Sequence, residues 1–336
     1  LGILLPGNKE VRLKEFPDPE PKPDQVLIRI KASQICRSDM SLYYGWALVG
    51  KAEPGTVIAG HHQAGVVEKI GNEIKHLKRG DRVSIWCALG CGHCKYCKSG
   101  WYQLCSERQF LGFDVNGGFA ELLTVPERIC MRMPEKMSFV TGAFAEPICT
   151  LYDAAKNLGV SGDNSVAIFG IGPMGGAGLL ICKALGAKVF CVDPVEERLR
   201  IAKSLGADEA INAKDDPVKT IKDLTEGEGA DMAIECSGNP TALGNALDCV
   251  GRFGKVSIVG ECPEAKIKPS EQYLRKRLTV LGSWAFNITE FEDAAKLVVE
   301  KDLNIEALAT HRFSLKDASE AFKLFDEKKA IVVFTS

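Results

Sequence analysis

The sequence predicts an α/β protein of two domains, one β-rich and one built on a doubly wound parallel sheet. Three observations carry this prediction. The chain has 336 residues, more than one ordinary core accommodates. Over residues 1 to about 150, strand-like apolar runs alternate with proline and glycine turns. From Ser165 onward the repeat becomes strand, helix, strand, which implies a parallel sheet covered by helices on both faces.

Along the first domain, residues 26–32, 64–70 and 82–87 read as strands and 17–23 as a proline-rich surface loop. The pattern changes near Pro147. Proline suits the first helical position, and residues 148–158 keep a helical period that stops at Gly159. Strands are then expected at Ser165–Phe169, 188–192, 231–235, 255–259 and Thr279–Gly282, with helices at 174–185 and 195–205. The tail adds helices at 290–301 and 315–326 and ends in an apolar strand, 330–334, expected to rejoin the first domain. The domains are therefore drawn as 1–150 plus 285–336, and 151–284.

Composition is that of a soluble globular protein, with 46% apolar and 26% charged residues. A net charge of −2 gives no bulk argument for nucleic acid or an anionic membrane, and neither is expected as a partner. The uncharged run 165–182 has the length of a membrane span, but five glycines and Pro173 interrupt it. No secretory signal is recognised, since the apolar stretch after Leu1 is broken by Pro6 and Gly7. With 13 cysteines and no such signal, free thiols and thiolate ligands are expected rather than disulfides, in a reducing cytoplasmic compartment.

Gly170, Gly172 and Gly175 form G-x-G-x-x-G directly between an expected strand and an expected helix. The first glycine permits a tight turn, the second lets backbone approach a pyrophosphate, and the third lets helix pack on strand. The motif alone is weak; its flanking elements make it a dinucleotide site. Asp193 follows Gly170 by 23 residues at the end of the next strand. An acidic side chain there accepts bonds from ribose hydroxyls and repels a 2′-phosphate, which favours NAD over NADP. The competing reading makes Asp193 the N-cap of the helix over 195–205. Arg198 is assigned to the same cofactor site.

Cys91, Cys94, Cys97 and Cys105 follow the spacing C-x2-C-x2-C-x7-C. Four thiolates satisfy one tetrahedral zinc and leave no position for substrate, so this lobe, about residues 87–106, reads as a structural site. A reactive thiol cluster is the rival, and His93 reads as a loop residue. A catalytic zinc needs three protein ligands and an open position. Cys36, His61 and Glu146 are the candidates, and none is diagnostic alone.

At these residues the chain resembles the medium-chain zinc-dependent alcohol/polyol dehydrogenase family, over essentially its full length. The matching text is Pro19-Glu20-Pro21, Ile35-Cys36-Arg37-Ser38-Asp39, Gly60-His61, Gly80-Asp81-Arg82-Val83, the four-cysteine lobe, Gly117-Gly118-Phe119-Ala120-Glu121, Glu146-Pro147 and Gly170 to Gly175. The resemblance implies a GroES-like catalytic domain beside a Rossmann cofactor domain, and two zinc ions per chain. It implies catalytic zinc on Cys36, His61 and Glu146, with Cys149 as a fallback ligand. Glutamate in the third position is similar to the sorbitol-dehydrogenase branch. Asp39 is then expected to hold the imidazole of His61, or else to cap its loop. Ser38 would pass the substrate proton outward, Thr150 would pack near the nicotinamide, and Arg37 would meet the cofactor or stay solvated. A homotetramer or homodimer is implied.

Two positions depart from the family. Many relatives carry glutamate after the zinc-bound histidine, where this chain has His62, which could serve as ligand or base or point elsewhere. Some carry histidine where this chain has Ser41, which leaves the terminal proton acceptor open. Glu146 and Ser41 favour a polyol, sugar or vicinal diol, with an aromatic or aliphatic secondary alcohol as the alternative, while Tyr43, Tyr44, Trp46, Phe113 and Trp284 read as pocket walls or as plain core. The competing functions are a non-catalytic binding relative, supported by His62, and a zinc-independent quinone reductase, disfavoured by the full set of zinc ligands.

Overall fold

Two short runs open the chain, β1 (Gly2–Gly7) and β2 (Glu10–Lys14), paired as an antiparallel hairpin. The computed structural model describes residues 1–328 and 330–336. After the proline-rich loop comes β3 (Gln25–Gln34), whose apolar residues Val26, Ile28 and Ile30 are buried on one face while Arg29 meets solvent. Period-two alternation of this kind is what a half-covered antiparallel sheet requires. A short helix, α1 (Asp39–Tyr44), precedes β4 (His62–Ile70), which pairs antiparallel with β3, and β5 (Arg82–Ile85) pairs with β4. The cysteine lobe holds β6 (Ala88–Leu89), α2 (Lys95–Lys98) and β7 (Gln109–Phe110). Beyond it lie β8 (Leu122–Pro126), β9 (Cys130–Arg132), α3 (Phe139–Ala143) and α4 (Ala145–Leu158). Helix α4 starts before Pro147, which is its third residue instead of its first. Proline is still tolerated there, because the first turn has no intrahelical acceptor for its missing N–H.

The second unit alternates strand and helix: β10 (Ser165–Phe169), α5 (Pro173–Ala184), β11 (Lys188–Asp193), α6 (Glu196–Ser204), β12 (Glu209–Asn212), α7 (Pro217–Asp223), β13 (Ala230–Glu235), α8 (Pro240–Cys249), β14 (Val250–Ile258) and β15 (Thr279–Gly282). Every pairing is parallel, in the order β12-β11-β10-β13-β14-β15. The order reverses between β10 and β13, the switch point beside which open α/β sheets bind dinucleotides. Phe169, Phe190, Val192, Ala233, Leu247 and Val256 are buried in its core. Strand β12, four residues long, has no counterpart among the sequence expectations.

The tail supplies α9 (Phe291–Glu300), β16 (His311–Phe313), α10 (Ala318–Asp326) and β17 (Val332–Thr335). Strand β17 pairs antiparallel with β3, giving the first unit a seven-stranded sheet in the order β16-β17-β3-β4-β5-β9, with β8 also on β3. One unit comprises Leu1–Glu146, Asn287–Val299 and Ala309–Ser336; the other comprises Pro147–Phe286 and Glu300–Leu308. The segment Glu300–Leu308 therefore groups with the parallel sheet, where the sequence reading put it in the first domain; Leu308 packs beside Gly176 of α5. Among the described residues no helix is long and apolar enough to cross a membrane.

Candidate active site and metal centres

Cys36 lies in the short loop between β3 and α1, half-buried. Asp39, the first residue of α1, is fully buried and uses both oxygens: Oδ2 accepts the Cys36 N–H at 2.8 Å, and Oδ1 lies 3.0 Å from His61 Nδ1. One carboxylate thus shapes the Cys36 loop and sets the His61 ring, so the two readings of Asp39 coexist. In the neutral ring, Nδ1–H donated to Asp39 leaves the lone pair on Nε2, the form a metal would bind. Ser38 Oγ lies 3.1 Å from that Nε2. Burial opposes protonation of His61, but Asp39 and Cys36 outweigh it and hold its pKa well above the usual imidazole value.

His61 follows Gly60, whose φ of +92° is a left-handed conformation, and a side chain there would strike Phe119 at 2.5 Å. His62 then begins β4, 4% exposed, with its ring centroid 4.2 Å from that of His61. Donor atoms of Cys36, His61 and His62 all lie within 4.8 Å of one another. Glu146 is not part of that group; its Oε2 lies 3.3 Å from His62 Nε2. Burial and the neighbouring His61 lower the His62 pKa despite Glu146, which favours its neutral form. The contact between His62 and Glu146 left no signal in the sequence.

Ser41, in α1, donates to Ser38 O at 2.8 Å and accepts the Leu48 N–H at 3.0 Å, which braces the helix against the segment that follows it. Phe113, one of the five aromatic candidates, has its ring centroid 5.2 Å from that of His61. Tyr43 is core, stacked on Phe322, while Tyr44, Trp46 and Trp284 are exposed. Arg37 is exposed, and Cys149 and Thr150 are buried in α4.

The four lobe cysteines also place their sulfurs within 4.8 Å of one another, with Cys91 Sγ and Cys97 Sγ 3.9 Å apart. Zn–S bonds of about 2.3 Å at tetrahedral angles need sulfurs about 3.8 Å apart, so the cluster fits zinc. Cys94 accepts the Cys97 N–H, which lowers its pKa to about 7, whereas burial pushes Cys97 up to about 12. His93 is exposed, with Nδ1 against the Cys91 carbonyl, outside the four-sulfur set. Of the cysteines outside both clusters, Cys182 and Cys249 are buried and held up to about 12, too high for thiolate chemistry.

In the second unit each glycine of the G-x-G-x-x-G turn has a separate constraint. Gly170 has φ +89° and would strike Ser237 at 2.7 Å. A Cβ on Gly175 would come within 2.0 Å of the Gly170 carbonyl, so only glycine lets α5 approach β10. A Cβ on Gly172 would meet nothing within 4 Å; the space beside this N-cap of α5 is open, as a pyrophosphate cradle requires. Asp193 is buried beneath the turn, with Oδ2 accepting the Ile171 N–H at 2.7 Å and Oδ1 the Val195 N–H at 2.9 Å. It is not the N-cap of α6, which is Val195; Asp193 instead accepts the N–H of that N-cap residue. Arg198 Nη1 stands 3.6 Å from Asp193 Oδ2.

The family model described as "Alcohol dehydrogenase GroES-like domain" matches residues 22–135, and that described as "Zinc-binding dehydrogenase" matches 173–300. The chain is 35% identical to the L-threonine 3-dehydrogenase of Pyrococcus furiosus, over 93% of this chain and 91% of that protein. It is 31% identical to the L-idonate 5-dehydrogenase of Vitis vinifera, over 96% of this chain and 90% of that protein. Among solved structures, the alcohol dehydrogenase TADH from Thermus sp. ATN1 superposes with a TM-score of 0.91 at 30% identity, covering 99% of both chains. By sequence match, by fold and by the motifs its two units carry, the chain belongs to the medium-chain zinc-dependent alcohol/polyol dehydrogenase family, a family of oxidoreductases.

Proposed function

We propose that the chain oxidises a secondary alcohol, of the polyol, sugar or vicinal-diol class, to the ketone, with NAD as hydride acceptor and two zinc ions per chain. The observation that carries this reading is the convergence of Cys36, His61 and His62 within 4.8 Å, with Asp39 fixed behind His61. Zinc bound there supplies Lewis acidity that eases deprotonation of a hydroxyl, and nicotinamide supplies the hydride acceptor.

The protein's own residues do the rest. Cys36 and His61 hold the ion, and the third protein donor comes from the pair His62 and Glu146. Asp39 keeps the proton of His61 on Nδ1, so that Nε2 faces the ion. Ser38, beside that Nε2, takes the substrate proton and passes it outward. In the cofactor unit, the turn at Gly170–Gly175 receives the pyrophosphate at the α5 N-terminus. Asp193 uses its remaining lone pairs on the ribose hydroxyls, with Arg198 alongside, and Thr150 packs near the nicotinamide. The lobe cysteines hold the second zinc as a structural brace. The polar substrate class is supported by the buried His62–Glu146 pair and by relatives named for L-threonine and L-idonate.

The test is NADH absorbance with zinc-loaded protein over polyols, vicinal diols, hydroxy acids and simple aliphatic and aromatic alcohols, with NAD and with NADP. Turnover is expected with a polar secondary alcohol and NAD, and Cys36→Ser should abolish it while leaving NAD affinity intact. No turnover over the whole panel, with zinc and NAD both shown to bind, would instead leave a non-catalytic binding protein.

A further inference from the structure

Two consecutive residues of a regular strand point to opposite faces. His61 and His62 do not behave this way: His61 precedes β4, after the left-handed Gly60, and the two rings lie 4.2 Å apart at 65°. The chain thus brings two adjacent imidazoles into the group that contains Cys36.

The two nitrogens of His62 have different surroundings. Nε2 faces the Glu146 carboxylate at 3.3 Å, and a carboxylate only accepts, so the ring proton belongs on Nε2. That leaves Nδ1 with a lone pair. It is buried and has no hydrogen-bond partner among the described residues. A buried acceptor without a donor is costly and uncommon in a folded protein. An unpaired imidazole lone pair, on a residue that brings a ring nitrogen within 4.8 Å of a thiol and a second imidazole, has the chemistry of a metal donor.

The arrangement around His62 also repeats the one around His61. Each imidazole has one nitrogen against a buried or half-buried carboxylate, Asp39 at 3.0 Å and Glu146 at 3.3 Å. Carboxylates in that position fix the tautomer and orientation of metal-binding histidines.

We propose that His62, through Nδ1, is the third protein ligand of the catalytic zinc, and that Glu146 is its positioning residue instead of a ligand. This rests on the zinc reading of the Cys36–His61 cluster given above and replaces the third ligand that the family resemblance implies. The protein donors are then one thiolate and two neutral imidazoles, so the ion and its ligands carry one more positive charge than a thiolate, imidazole and carboxylate set. This chain's departure from the usual glutamate at position 62 becomes a change of ligand, not a lost function.

The experiment uses the full-length protein loaded with cobalt(II) in place of zinc. X-ray absorption at the cobalt edge counts sulfur, imidazole and oxygen neighbours, and electronic absorption follows metal binding by titration. The Cys36 site is read by difference against Cys36→Ser, since the four-cysteine lobe contributes equally to both. The expected result is one sulfur and two imidazoles in the wild type. His62→Gln should lose one imidazole. Glu146→Gln should keep both and bind cobalt roughly 10-fold more weakly, as loss of an outer partner does, with His62→Gln weaker still. One imidazole in the wild type, with an oxygen donor that disappears in Glu146→Gln and not in His62→Gln, overturns the proposal in favour of Glu146. Should His62→Gln fail to fold, the imidazole count of the wild type decides alone. Cobalt bound equally by Cys36→Ser and wild type would sink the zinc reading itself, whatever the third ligand.

Discussion

Asp39 joins the Cys36 loop to the His61 ring through a single buried carboxylate, which makes it the most exacting residue of the site outside the ligands. Asp39→Asn keeps the shape but replaces one acceptor oxygen with a donor. The amide then loses either the Cys36 N–H or the correct tautomer of His61. Metal affinity at the Cys36 site should fall roughly 10–100-fold, read by competition with a chromophoric chelator. An unchanged affinity would mean that His61 is held by its packing against Phe113 and β4 alone. Cys36, Asp39 and His61 were singled out through the family resemblance, because a lone cysteine, aspartate or histidine carries no signal of its own. The pairing of His62 with Glu146 was not, because it joins the start of a strand to the start of a distant helix and depends on which way each side chain turns. Ser41, the third residue of α1, donates to the nearby backbone acceptor at Ser38, a local bond that short polar side chains in a first turn readily make.

At the scale of elements, the turn between β10 and α5 separates folding from binding. Gly175→Ala puts a methyl group against the Gly170 carbonyl, a backbone atom that cannot move aside. It should cost roughly 1–3 kcal/mol of stability, seen as a lowered thermal midpoint. Gly172→Ala has an ordinary φ of −88° and open space around its methyl group, so stability should hold or rise by about 0.4–1 kcal/mol. Its NAD affinity, measured by fluorescence titration, should nevertheless fall, because the methyl occupies the space the pyrophosphate needs. Undiminished NAD binding by Gly172→Ala would remove this turn as the cofactor cradle. The turn was readable because glycine spacing and both flanking elements agreed. Boundaries were less so. Helix α4 began before its proline, α6 began one residue later than expected, and β12 is too short for its apolar pattern to register.

For the whole molecule, the two candidate metal-binding clusters and the parallel sheet draw on different sources of stability. Both clusters belong to the first unit. The regular structure of the cysteine lobe is two two-residue strands, a four-residue helix and a single 3-10 turn, Tyr102–Leu104, too little to bury a core of its own. Apart from sulfur, hydrogen bonds tie it down, among them Arg128 to the Gly90 carbonyl at 3.1 Å, Asn287 Nδ2 to the Ser99 carbonyl at 2.7 Å and the Ile288 N–H to the Gly100 carbonyl at 3.2 Å. A structural zinc contributes folding energy outright in such a setting. The sheet β10–β15, in contrast, is held by buried apolar residues on strands and helices together, and among the described residues no cysteine cluster lies there. Chelation should therefore act locally. Hydrogen exchange followed by mass spectrometry, with and without a strong chelator, should show faster exchange over residues 87–106 and unchanged protection across β10–β15. Uniform loss of protection would mean that the metals hold the whole chain together. Unchanged exchange in the lobe would mean that its four thiols fold it without an ion, and the structural-zinc reading of Cys91, Cys94, Cys97 and Cys105 would fall.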